Sequence, residues 1–111
     1  MNKPVVAILK TTPHTVLEDI PRLLDMAGVQ GALQPDAATI LKDNISWHFP
    51  FLSANSTPWQ LEGAIRAMKQ DGYNADLIHA CHNRTVVIDA HFGERENKQI
   101  NVVEELHFSL F

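Results

Sequence analysis

The sequence predicts an α/β domain with a mostly parallel sheet of four to five strands and two main flanking helices. Three observations point there. A β-branched apolar run, Val5 to Leu9, opens the chain. Two amphipathic stretches follow, each with capping residues at its start and a glycine at its end. Short apolar runs alternate with them in the order β-α-β-α-β-β, and helix-length connections between strands imply right-handed parallel crossovers.

Val5–Leu9 is continuously apolar, as expected of a strand buried on both faces. Thr15 begins the first helix, with Glu18 spaced to complete a capping box and Val16, Ile20, Leu23, Leu24 and Ala27 on one face. Pro21 either kinks that helix or belongs to a later start capped by Asp19. Gly28 stops it, and Val29–Asp36 is a connector. Thr39–Leu41 is a second strand running into Lys42-Asp43-Asn44. The stretch Ile45–Ser56, with Trp47, His48, Phe49, Phe51 and Asn55, is long for a loop, which marks it as functional or covered by a partner.

Thr57 and Pro58 open the second helix, Gln60 completes its capping box, and Leu61, Ala64, Ile65 and Met68 form its apolar stripe up to Asp71-Gly72. Leu77–Ala80 and Thr85–Ala90 read as the third and fourth strands. His91–Gln99 reads as a charged loop, and Ile100–Val103 as a fifth strand. Leu106–Phe111 is apolar again, which predicts a truncated chain, or a terminal strand packed on the core or on a second subunit.

The 111 residues suit a single domain over positions 1–111, and 45% apolar with 20% charged content is that of an ordinary folded protein. Net charge is -4 and the nine Lys and Arg are scattered, which argues against nucleic acid and against an anionic membrane surface. One cysteine, Cys81, excludes an internal disulfide and a site built only from the chain's own thiolates. The first apolar run is too short for a signal peptide, and no stretch approaches a membrane span. The default compartment is the cytoplasm.

The strand ending Ile40-Leu41-Lys42-Asp43-Asn44 and the Thr57-Pro58 helix start resemble the N-terminal part of the uncharacterised family catalogued as domain of unknown function 362. The family pattern at that strand is apolar-apolar-Lys-Pro-Asn, so Lys42 and Asn44 match while Asp43 stands where proline is expected. The resemblance covers roughly the first two-thirds of the chain. It implies an α/β fold, a bacterial or archaeal origin and a redox association. An iron–sulfur cofactor follows only from that association, because the family's multi-cysteine module is not in this sequence.

Three groups of residues carry candidate chemistry. Lys42, Asn44, Ser53, Asn55, Ser56 and Thr57 gather at a strand end and a helix start, where a cation, hydrogen-bonding side chains and free N–H groups suit a phosphate or carboxylate. The same residues also read as a solvated lysine, an Asx turn and a cap. His79, Cys81 and His82, with His48 or His91 further off, offer zinc or iron ligands, although their spacing matches no established pattern and Cys81 also reads as a small buried hydrophobe. A Cys81 nucleophile assisted by His79 or His82 and Asp89 is disfavoured, because neighbours on a strand point to opposite faces. Asp89, His91, Glu94 and Arg95 follow a strand at its carboxyl end, where parallel sheets place their sites, or form a solvated loop. Trp47, Phe49, Phe51 and Trp59 read as a stacking platform, a lid over the core edge or a subunit interface, and the acidic net charge favours the lid or the interface.

The function expected from these residues is that of a small-molecule or anion-binding α/β domain, part of a larger redox-associated protein. Lys42, Asn44 and Ser53–Thr57 would hold the ligand, with Asp89 or His91 opposite. A non-catalytic homo-oligomeric assembly domain is the alternative, and a metal-dependent enzyme using His79, Cys81 and His82 is the weaker one.

Overall fold

A computed structural model describes residues 3–51, 53–82, 84–106 and 109–110. Among them five helices surround a small parallel sheet, in the order α1 (Val16–Ala27), α2 (Val29–Ala32), β1 (Thr39–Lys42), α3 (Pro58–Gln70), β2 (Ile78–Cys81), α4 (Ala90–Glu96), α5 (Gln99–Leu106) and β3 (Ser109–Leu110). The main pairing is β1 with β2, from Thr39 opposite Ile78 to Lys42 opposite Cys81. The two residues of β3 pair with His79 and Ala80 on the other side of β2. This corrects the expected sheet of four to five strands flanked by two main helices.

Each misplaced strand has a local cause. Val5–Leu9 carries no regular secondary structure, its backbone pairs with no described strand, and Val5, Val6 and Ile8 are 70%, 82% and 82% exposed. Apolar β-branched residues favour extended backbone, yet a strand also needs an edge to pair with. In Thr85–Ala90 the Thr85 hydroxyl oxygen accepts the Ile88 N–H at 3.1 Å, a side-chain turn that competes with ladder pairing. Asp89 then accepts the Phe92 N–H at 2.8 Å and caps α4, so the expected charged loop from His91 is helical as far as Glu96. Ile100–Val103 lies inside α5, and such short apolar runs do not separate strand from buried helix. Of the apolar C-terminal stretch, Ser109–Leu110 is in β3, while His107, Phe108 and Phe111 lie outside the described residues.

α1 begins after Thr15 and carries Pro21 in its interior. No side-chain bond caps it. Instead the Thr15 hydroxyl donates to Asp19 at 2.6 Å, and the Thr11 hydroxyl donates to the same carboxylate at 2.9 Å. Gly28 stops it in the left-handed region, at φ 78°. α3 starts as its residues predict: the Gln60 side chain accepts the Thr57 N–H at 2.9 Å, and Pro58 fills the first helical position.

The core lies on one face of the sheet. Leu61 and Ile65 of α3 meet Val102 and Val103 of α5 over Ala80, and Met68 packs with Tyr73 and Ile78. Leu41 joins both groups. The alternate residues, Ile40 and Lys42 of β1 and His79 and Cys81 of β2, point the other way, and there Ile40 is 67% exposed. No helix among the described residues is long and apolar enough to cross a membrane.

α1 packs on α3 at Gly63, where an added Cβ would lie 2.7–2.9 Å from three Ile20 side-chain atoms. Gly63→Ala should therefore destabilise the fold by about 1–3 kcal/mol, despite alanine's better helix propensity. Urea unfolding checks this. The penalty should shrink in an Ile20→Ala background, and an unchanged midpoint for the single variant would contradict the packing.

Candidate functional site

The carboxyl ends of β1 and β2 meet at Asp43. Its N–H donates to the Cys81 carbonyl at 2.7 Å, extending the strand pairing by one residue. That bond fixes the main chain and sends the side chain inward, where the residue is 3% exposed. Neither carboxylate oxygen has a hydrogen-bond partner among the described residues. Burial pushes the Asp43 carboxyl above the ordinary carboxylate value. The Ser56 hydroxyl, the Asn44 N–H and the charges of His82 and Lys42 act against that shift. Neither forms a bond of good geometry to the carboxylate, and the Asn44 N–H is given to Ser56 Oγ at 2.9 Å.

A cleft of about 240 Å³ opens beside Asp43, between β1 and the first turns of α3. Lys42, Ser56 and Gln60 contribute its polar wall, and Leu41 and Leu61 part of its apolar wall. Lys42 Nζ donates to the Asp43 backbone carbonyl. A second cleft, about 450 Å³, lies apart from this one between Thr11, Pro13, Val16 and Trp59.

Most of the expected anion-binding set is engaged in holding the loop. The Asn44 side chain donates to Ser46 Oγ at 2.6 Å and to the Ala54 carbonyl at 3.3 Å. The Ser56 N–H returns to the Asn44 carbonyl at 2.8 Å, and the Ser56 carbonyl accepts from Gln99 at 2.9 Å. Asn55 is buried: its oxygen accepts the Trp47 N–H at 3.0 Å, and its amide donates to Trp47 O at 2.9 Å and to Asn97 Oδ1 at 2.8 Å. Thr57 is part of the α3 cap, and Ser53 is exposed in a turn. Lys42 and Ser56 reach the cleft together, whereas Asp89 and His91 do not line it. Asp89 is held below its usual range, chiefly by the Phe92 N–H bond.

The histidines separate. His79 and Cys81 share one half-buried face of β2. His82 turns inward, with Nε2 2.7 Å from Glu94 Oε1, while His91 Nδ1 lies 3.3 Å from Glu94 Oε2. His48 stacks on Trp47 with ring centroids 5.0 Å apart and meets Phe92 edge-on. No group of three or more His, Cys, Asp or Glu among the described residues is placed to hold a metal ion. Trp47, Phe49 and Phe92 form one aromatic cluster over α4, and Trp59 belongs to the second cleft.

Asp43 is the residue that sequence reasoning passed over, although it lies between Lys42 and Asn44 at a strand end. Glu94 was named with Asp89, His91 and Arg95 as a candidate group or a solvated loop. Its pairing with His82 depends on α4 being a helix.

No family model, no curated protein and no solved structure matches the chain.

A carboxyl raised by burial binds its proton more tightly in the folded state. Its stabilising contribution is full below the ordinary carboxylate value and is lost as pH rises through the folded-state value. Asp43→Asn should therefore be more stable than wild type at neutral pH, by about 4 °C in Tm if the difference is about 1 kcal/mol. The gap should close as pH falls towards 3.8. Thermal unfolding across that range measures it, and a gap that widens on acidification would reverse the assignment.

Proposed function

We propose that this chain is a small-molecule-binding α/β domain, and that its ligand occupies the cleft beside Asp43 and presents hydrogen-bond donors to that carboxylate. The observation that carries the reading is Asp43 itself, buried with both oxygens unpartnered among the described residues. A carboxylate withdrawn from water without hydrogen bonds is destabilising, and strongly desolvated acids gather at functional sites. The cleft walls add a cation at Lys42, an amide at Gln60, a hydroxyl at Ser56 and apolar surface from Leu41 and Leu61. A few converging polar groups on an apolar wall are the usual make-up of a small-molecule site.

The ligand class follows from charge and from donor supply. Asp43 opposes a simple anion at this position. Pro58 has no N–H, and the Thr57 N–H is already given to Gln60, so α3 offers fewer free donors than an open helix start. An amine, amidine or primary amide meets the carboxylate's needs, and an amidine meets both oxygens at once. Because both oxygens are sealed from solvent, binding includes a turn of the Asp43 carboxyl towards the cleft.

Amide-resolved NMR with benzamidine, acetamide and pyrophosphate tests this. Benzamidine or acetamide should move Lys42–Asn44 and Ser56–Leu61, and Asp43→Asn should abolish the benzamidine response. Larger movements of the same amides with pyrophosphate, or none with the two donors, would overturn the reading.

Exposed Val5, Val6 and Ile8, together with the outer edge of β1, which pairs with no strand among the described residues, favour a second reading as a non-catalytic homo-oligomeric domain. Sedimentation at micromolar concentration should then show a multimer that Val6→Lys with Ile8→Lys dissociates. A wild-type monomer would exclude it.

A further inference from the structure

The first apolar run and the outer edge of β1 each lack what the other offers. Among the described residues no main-chain hydrogen bond holds Val5–Leu9, and no strand pairs with β1 on the side away from β2. Val5, Val6 and Ile8 are exposed, whereas Ala7 and Leu9 are half-buried. β1 alternates in the same way, with Thr39 and Leu41 half-buried and Ile40 and Lys42 exposed. β-Branched residues favour paired, extended backbone, and an open strand edge is a template for it. The edge is four residues long and the run covers it from Val5 to Leu9. Laid side by side, Val6 and Ile8 fall on the open face with Ile40, and Ala7 and Leu9 fall on the core side with Leu41.

The root of the run is held at the start of α1. The Thr11 hydroxyl donates to Asp19 at 2.9 Å, and the Thr12 N–H donates to Thr15 Oγ1 at 3.3 Å. The Thr15 N–H returns to the Thr12 carbonyl at 3.1 Å. With its root so held, the run lies off the β1 edge of its own copy. A second copy supplies the same edge without undoing those bonds. Charge agrees with the match. Lys3 and Lys10 bracket the run and Asp36 precedes β1, so in either strand direction one lysine comes to the Asp36 end.

We infer that two copies of this chain exchange their first apolar runs, Val5–Leu9 of each adding as a strand to the outer edge of β1 in the other. The main chain of the run gains a ladder of hydrogen bonds, and Ile40 is covered by Val6 and Ile8. The exchange is reciprocal, so it closes as a two-fold dimer rather than growing into a filament. It rests on the homo-oligomeric reading and names its contact, and it needs no ligand in the cleft beside Asp43.

Sedimentation gives the mass, and isotope-filtered NMR on differently labelled chains, refolded together, gives the contact. The expected result is a dimer with cross-chain nuclear Overhauser effects from the Val6 and Ile8 methyls to Ile40. Ile40→Lys replaces an exposed side chain, so the variant folds. Loss of that apolar contact should raise the dimer dissociation constant at least about tenfold. A multimer without those cross-chain effects, or with an unchanged constant in Ile40→Lys, overturns the exchange and leaves the homo-oligomeric reading standing. Effects that arise only within one chain also overturn it, because the run then covers its own edge. A monomer overturns both.

Discussion

A carboxylate taken out of water without a hydrogen-bond partner among the described residues is the constraint around which the carboxyl end of this sheet is built. Asp43 cannot leave its place. Its N–H is locked to the Cys81 carbonyl, and the next residue is hooked to Ser56 in both directions. Gln99, fully buried in α5, holds the Ser56 carbonyl from beneath. The opposing stabilisation comes from α3, where Leu61, Ile65 and Met68 are buried against the sheet and α5. Each such side chain contributes about 1.5–3 kcal/mol on burial. A stripe of that size offsets one poorly satisfied acid.

The long loop after β1 works as a positioning device. Asn55 ties its two arms together through Trp47 and reaches across to Asn97, just past the end of α4. Ile45 presses on α4 at Gly93, where an added Cβ would sit 2.8 Å from Ile45 Cγ2. Backbone approach that close requires the glycine. The loop therefore sets where α4 lies, and α4 carries Glu94 to His82. Polar residues that looked available for a ligand are instead the fasteners, and the groups left without partners lie beneath them.

What could be read from the sequence was the chemistry that acts over a few residues. The start of α3 follows from Thr57, Pro58 and Gln60 because a cap and its reciprocal partner lie within one turn. The strand before Lys42 and the strand before His82 were visible for the same reason, as short apolar runs between turn signals. Whether Val86–Ile88 and Ile100–Val103 paired as strands depended on contacts far along the chain. In the structure, a threonine turn and burial against Leu61 and Ile65 decide those segments otherwise. The site divides in the same way. Lys42 and Ser56 were found near one another because both flank one loop. The burial of Asp43, and the meeting of His82 with Glu94 across a helix assigned as loop, are products of tertiary packing that no local pattern records.

The most direct measurement is the titration of the Asp43 carboxyl carbon by NMR in the folded chain. A midpoint above the usual 3.8 is expected, set apart from Asp19 and Asp89, whose hydrogen bonds hold them below it. A midpoint at or below 3.8 would mean that the carboxylate is solvated or fully hydrogen-bonded in solution. The buried acid would then lose its place as the centre of the site.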